Sequence, residues 1–160
     1  MALTVMKARN FGIEDYARFH PGGALGARLI TVGQSMWFRQ GEELPLARES
    51  DSVQAMLEKT AGLKRRGAVM IVNAEGKLSG IITDADLRRA VMHRGPAVFK
   101  AAAGEIMTPD CKRVREDTLA AEAVAVLHKY RIDDLPVVDE NDYPVGLIDV
   151  QDIVSLKIVQ

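Results

Sequence analysis

The run Gly80-Ile81-Ile82-Thr83-Asp84-Ala85-Asp86-Leu87 returns in kind as Gly146-Leu147-Ile148-Asp149-Val150-Gln151-Asp152-Ile153, 66 positions further on. Asp51-Ser52-Val53 aligns with Asp117-Thr118-Leu119 at the same offset. Further back, Val32-Gly33-Gln34-Ser35-Met36 resembles Ala103-Gly104-Glu105-Ile106-Met107 after a small length adjustment. A repeat of this length holds several secondary-structure elements, so the two copies must solve the same folding problem twice.

Each copy reads the same way. Ser52 or Thr118 is expected to cap a helix whose apolar stripe is Val53, Met56 and Leu57 in one copy and Leu119, Ala123, Val126 and Leu127 in the other. Two short apolar strands follow, residues 68–72 with 78–82 and residues 135–138 with 145–148. The residues between them, 73–77 and 139–143, are rich in Asn, Asp and Gly, the types that close a tight turn. A second helix is expected over 84–93 and again over 150–156, and residues 98–106 read as a helix linking the copies. A unit of helix, strand, strand and helix covers only one face of its sheet. The fold expected is therefore mixed α/β, with two small sheets, each packed by two helices, related by a pseudo-two-fold axis behind an N-terminal helical linker.

Composition supports a globular chain and removes several function classes. Of 160 residues, 48% are apolar and 27% charged, and the net charge is −1, which gives no general attraction to nucleic acid or to an anionic membrane. No apolar run approaches the roughly 20 residues of a membrane-spanning helix. The N-terminus lacks the layout of a secretion signal and reads as the end of a helix begun earlier in a longer protein. A single cysteine, Cys111, forbids an intrachain disulfide and fits a cytoplasmic protein. His20, His93 and His128 are too scattered for a metal site, so no metal is expected.

The repeated Gly-apolar-apolar-Thr-x-x-Asp-apolar pattern, together with Leu135-Pro136-Val137-Val138-Asp139, resembles a pair of CBS repeats, the arrangement called a Bateman module. The likeness covers residues 32–160, divided as 32–96 and 97–160. The preceding run Phe19-His20-Pro21-Gly22-Gly23-Ala24-Leu25-Gly26 resembles the segment that joins the sugar-isomerase (SIS) domain to the CBS pair in D-arabinose 5-phosphate isomerases, which assigns residues 1–31 to that domain's tail and linker. That resemblance implies a parent enzyme interconverting ribulose 5-phosphate and arabinose 5-phosphate on the route to the lipopolysaccharide sugar Kdo, with His20 in its isomerase site. It implies an SIS domain in cis, a homodimer through the CBS pairs and a tetramer of the whole enzyme. No SIS sugar-binding loop or base lies in this chain, so the chain alone is not expected to be an enzyme.

Thr83 ends a strand and opens a helix, so its hydroxyl and the free amides of the helix start face one space, where an anion is favoured. Asp86, one turn on, can accept both hydroxyls of a ribose. By resemblance the threonine holds phosphate and the aspartate ribose, of AMP or ATP, or of the nucleotide-sugar CMP-Kdo. In the second copy Asp152 keeps the carboxylate, but Asp149 replaces the threonine and would repel phosphate. The plain alternative is that Thr83 and Asp149 are only helix caps. Arg66, Arg88 and Arg89, with Lys64, Arg65, His93 and Arg94 nearby, are candidates for contact with an anionic ligand or for surface pairs such as Asp84–Arg88. Met107, in the segment that starts the second repeat, is placed where main-chain groups face a ligand. Trp37 and Phe38 follow the corresponding Met36 and would either stack on a base or pack. Cys111 has no base beside it and reads as a packed residue.

Overall fold

The computed structural model describes residues 30–36, 43–63 and 67–155, with side chains through Asp152. His20, Trp37, Phe38, Lys64, Arg65 and Arg66 lie outside the described residues.

In chain order the elements are α1 (Val32–Ser35), β1 (Leu46–Arg48), α2 (Val53–Thr60), β2 (Ala68–Val72), β3 (Leu78–Thr83) and α3 (Asp84–Arg94). After a 3-10 turn (Gly95–Lys100) come α4 (Ala103–Ile106), β4 (Thr108–Pro109), β5 (Val114–Arg115), α5 (Ala120–Tyr130), β6 (Asp134–Val138), β7 (Pro144–Asp149) and α6 (Val150–Ser155). They form the expected mixed α/β pair: one sheet in the order β1-β2-β3-β4 and a second in the order β5-β6-β7. The central hairpins keep the offset of the sequence repeat, Met70 facing Ile81 and Pro136 facing Leu147. Their turns use one chemistry. Asn73 Oδ1 accepts from the amides of Glu75 (3.1 Å) and Lys77 (2.9 Å), and Asp139 Oδ1 from those of Asn141 (2.8 Å) and Tyr143 (2.9 Å). The left-handed corner falls on Gly76 (φ 83°) in one and Asp142 (φ 67°) in the other, residue types that tolerate it.

Alternation along the strands builds three apolar layers. Val69 and Ile71 of β2 pack with Ala47, Val53, Met56, Ile82 and Ala103 under the first repeat's helices. Ala68 and Met70 point the other way, and with Leu78, Ile81 and Cys111 they meet Val138 and Leu147 of the second sheet. Leu135, Val137 and Ile148 close the second repeat against Ala123, Leu127 and Val32. The sheets thus pack face to face with helices outside, which is why the strands are nearly continuous apolar runs rather than half-polar ones.

The halves also exchange their leading segments. Val32 of α1 is fully buried in the second repeat's core, and Ala103 of α4 is fully buried in the first's. Matching backbone bonds fix both: Val32 N to Thr118 O (2.8 Å) and Gly33 N to Glu116 O (2.9 Å), Ala103 N to Asp51 O (2.8 Å) and Gly104 N to Glu49 O (3.0 Å). Met107 then sits on Gly80, Met36 sits on Gly146, and β4 adds to the first sheet through Gly80–Pro109 and Ile81–Thr108.

Two expectations are corrected. The linker 98–106 is not one helix: Ala101 (ψ 152°) and Ala102 (ψ 144°) are extended. Ala101 O accepts from Val53 N at 2.9 Å, and Ser52 bridges Ala102, so pairing with the first repeat outcompetes continuation of the turn. Thr118 is not the cap of α5. That place is Leu119, and the Thr118 hydroxyl accepts from Arg115 N at 3.2 Å, as Asp51 accepts from Arg48 N at 2.8 Å. Asp51 and Thr118 are 67 positions apart, because the span from the start of α5 to the start of β6 is one residue shorter than that from the start of α2 to the start of β2.

A Cβ on Gly80 would stand 2.7 Å from both the Met107 sulfur and the Thr108 carbonyl oxygen, whereas on Gly146 the obstruction is the end of the Met36 side chain. Backbone cannot yield as a side chain can. Gly80→Ala is therefore expected to cost about 2 kcal/mol by prising β4 from β3, and Gly146→Ala clearly less. Urea melts of the two variants check this, and equal losses would contradict the role given to β4.

Candidate functional site

A cleft of about 790 Å³ opens where the two sheets meet, within the range of small-molecule sites. One wall is the β3–α3 junction, with Thr83, Asp84, Asp86, Arg88 and Arg89. Its floor is the stretch from Thr108 to Lys112 that follows β4, and the facing wall is the end of α5 and the start of β6, from Tyr130 to Asp134. Both repeats therefore supply the lining.

The first wall is fixed by a helix cap that uses a carboxylate twice. Thr83 is extended (φ −99°, ψ 167°) and caps α3, its hydroxyl accepting from Asp86 N at 3.3 Å. In return Asp86 Oδ2 accepts from Thr83 N (2.9 Å) and from the Thr83 hydroxyl (2.6 Å). The other oxygen, Oδ1, accepts from the Thr108 hydroxyl at 3.3 Å and is ion-paired with the Arg89 guanidinium. Asp86 is the one buried residue of α3. Burial alone would push its carboxyl up. The Thr83 hydroxyl and amide and the Arg89 guanidinium together outweigh that and hold the pKa below its ordinary 3.8.

On the floor, Cys111 is buried among the apolar residues between the sheets. Burial pushes its thiol up to about 11, which leaves it protonated near neutrality and a poor nucleophile, as its surroundings in sequence suggested. On the facing wall, Arg131 ends α5 in the left-handed region (φ 52°), and the Ile132 amide turns back to Leu127 O at 3.1 Å. Lys112 Nζ lies 4.7 Å from the centre of the Tyr130 ring, a cation held over an aromatic face. Among the described residues no group of three His, Cys, Asp or Glu side chains is placed to hold a metal ion, and no helix is long and apolar enough to cross a membrane.

Of the residues singled out in sequence, Thr83, Asp86, Arg88 and Arg89 come together in this cleft. Met107 is seated on Gly80, and its neighbour Thr108 is the residue that reaches Asp86. It is Arg89, not the Asp84–Arg88 pair, that closes on a carboxylate. Asp149 and Asp152 occupy the equivalent turn of the second repeat and do not line this cleft; Asp152 N donates to Asp149 Oδ1 at 2.8 Å and Asp149 N to Asp152 Oδ2 at 3.1 Å. Sequence reasoning missed the facing wall, Tyr130 to Asp134. The repeat held the signal: residues 130–134 sit 66 positions after 64–68, so in sequence they lead to β6 as the cationic run 64–66 precedes β2.

The family described as CBS domain matches residues 42–93 and 103–158. Arabinose 5-phosphate isomerase KdsD of Pseudomonas aeruginosa is 39% identical over 160 residues, which is 99% of this chain and 48% of that protein. Arabinose 5-phosphate isomerase GutQ of Salmonella typhi is 38% identical over 161 residues, with the same coverage of 99% and 48%. The chain spans about half the length of these relatives. Among solved structures, CBSX2 in complex with AMP superposes with a TM-score of 0.65 at 25% identity, over 80% of this chain and 96% of that one. The CBS domain pair of MJ0100, in complex with 5′-methylthioadenosine and S-adenosyl-L-methionine, gives a TM-score of 0.67 at 25% identity over 81% and 96%.

Asp86 is ionised more readily folded than unfolded, so its charge contributes stability that is fully present above the unfolded value and lost as pH falls through the lower folded one. Asp86→Asn should cost about 2 kcal/mol at pH 7, the scale of hydrogen bonds to a charged group. The gap from wild type should close as pH drops below 3.8. Thermal melts at pH 7 and across pH 2–4 check both the loss and its disappearance.

Proposed function

This chain belongs to the CBS-domain family, and from that premise we propose that it is the nucleotide-sensing regulatory pair of an arabinose 5-phosphate isomerase. The observation that carries the proposal is the Asp86 carboxylate, capped and ionised at the start of α3, on a cleft lined by both repeats. A ribose offers two adjacent hydroxyl donors to such a carboxylate. A phosphate on the same ligand is favoured at the Thr83 helix start, where the dipole and the cleft-lining Arg88 and Arg89 act together. Ile132 and Pro136 give the far wall an apolar portion suited to a base.

The ligand class draws support from the AMP and S-adenosyl-L-methionine complexes of the CBS structures that this chain resembles. The isomerases it resembles suggest a second candidate, CMP-Kdo, which carries the same ribose together with an anionic sugar. Arg66, beside Gly67 of the cleft in sequence, is proposed as a further anion contact, and the main chain at Met107 as part of the rim. Asp149 and Asp152 are proposed as a second, phosphate-averse turn that takes at most the uncharged part of a ligand.

Regulation would act on an SIS catalytic domain in cis, His20 belonging to that half, and the chain itself would not turn over sugar. A ligand regulates only by binding two states of the enzyme unequally. Exposed Val91 and Met92 (37% and 81%) on α3 support pairing of two copies through their helices, within a tetrameric, cytoplasmic enzyme.

The test is a thermal-shift and calorimetric screen of this chain with AMP, ATP and CMP-Kdo. At about 100 times its dissociation constant a specific ligand adds roughly 2.7 kcal/mol, and the shift should vanish in Asp86→Ala. A response to AMP or ATP makes the pair an adenylate sensor, and one to CMP-Kdo alone makes it a product sensor. No response to any of them, with helix-paired dimers in solution, would leave assembly as its role.

A further inference from the structure

Asp86 has no oxygen to spare for a ribose. Oδ2 is committed to the Thr83 amide and hydroxyl, which cap α3. Oδ1 is covered from two sides, by the Thr108 hydroxyl at 3.3 Å and by the Arg89 guanidinium. The two partners of Oδ1 differ in what it takes to move them. Thr108 is fixed in β4, paired with Ile81, and its bond is long. Arg89 is a flexible side chain 69% exposed, gripping from solvent a carboxylate only 7% exposed.

A diol arriving at Oδ1 must therefore take the place of the guanidinium, and the displaced cation needs another anion within reach. Thr83 and Arg89 both line the cleft, and the helix start at Thr83 is where an anionic group of the ligand is favoured. We infer that Arg89 is the specificity-determining residue of this cleft: it latches Asp86 when the cleft is empty and passes to the ligand's phosphate when a nucleotide enters. A nucleotide exchanges one charge-assisted contact for another. A nucleoside breaks the Arg89–Asp86 pair and returns nothing, so the latch screens out uncharged nucleosides that present the same ribose and base. The inference rests on the proposed reading of the cleft as a nucleotide site, and it assigns to that site the ligand feature being read, a negative charge beside the ribose.

The experiment compares wild type with Arg89→Gln by calorimetry on two matched pairs, adenosine with AMP and cytidine with CMP, using Arg88→Gln as a control for the loss of one cleft cation. With the latch removed, the nucleoside should bind about tenfold more tightly, the worth of the one charge-assisted contact it no longer has to break, and the nucleotide about as before, because it loses one such contact and is spared breaking another. Arg88→Gln should weaken the nucleotide without strengthening the nucleoside, and Arg89→Lys should restore part of the preference for the nucleotide. If a nucleotide binds wild type but nucleoside affinity is unchanged or falls in Arg89→Gln, the latch is wrong and the nucleotide site stands. A rise in nucleoside affinity in both glutamine variants would make the effect one of general charge and overturn the latch. If neither pair binds wild type or variant, the nucleotide reading fails and the latch with it.

Discussion

Val32 and Ala103 are both fully buried, each in the half of the molecule to which it does not belong by sequence. The backbone bonds beside them repeat almost atom for atom, from Val32 and Gly33 onto Thr118 and Glu116, and from Ala103 and Gly104 onto Asp51 and Glu49. Glycine gives the closest approach at the second position of each pair. A Cβ on Gly33 would come within 3.1 Å of the Glu116 carbonyl oxygen, and one on Gly104 within 3.3 Å of that of Glu49. Neither repeat completes its core alone. Separating the halves would expose the apolar layer between the sheets and strip each helical face of its borrowed segment, so the pair should open and close as one unit.

The same exchange places the cleft. α4 docks on the first repeat, which brings Met107 onto Gly80 and makes the next two residues a strand of the first sheet. Thr108 arrives at Asp86 only because of that pairing, and the chain then turns into Cys111 and Lys112 on the cleft floor. A ligand that took Asp86 from Thr108 would therefore pull on a segment shared by the two repeats. That is a physical route from an occupied cleft to the relative placement of the halves, which is what a regulatory pair needs if it is to report binding to an attached domain.

How far the fold was legible follows from where its determinants lie. The hairpins could be read because their information is local: apolar strands, an Asn or Asp at the turn start, and a Gly or Asp at the left-handed corner. Thr83 and Asp86 could be read for the same reason, being three residues apart on one strand-to-helix turn. Thr118 misled because the repeat offset shifts from 67 to 66 between the start of α5 and the start of β6, and a hydroxyl one residue before the true cap resembles a cap. Residues 98–106 misled because their helical propensity loses to extended pairing with Asp51 to Val53, partners some 50 positions away. The facing wall of the cleft was hidden more deeply. Tyr130 and Ile132 gain their place only once two sheets pack, and no local pattern reports a surface made by that packing.

The two strand-to-helix turns show how a symmetric frame carries an asymmetric site. Asp86 and Asp152 are nearly equally buried (7% and 5%), and each returns a carboxylate oxygen to the amide three residues earlier. The partner at that earlier position differs. The Thr83 hydroxyl is neutral, and it both accepts from Asp86 N and donates to the carboxylate, so the first turn carries one negative charge and an ion-paired arginine. Asp149 offers a carboxylate that only accepts, and it places a second acid against Asp152 at the start of α6. Both arrangements cap a helix well, which is why a single exchange of Thr for Asp leaves the fold untouched. Their acid content differs: the cap of the Thr83 turn uses the Asp86 carboxylate alone, while that of the Asp149 turn sets two carboxylates at the helix start. Divergence at one position, with the cap kept in function, is enough to give two structurally equivalent turns unequal charge.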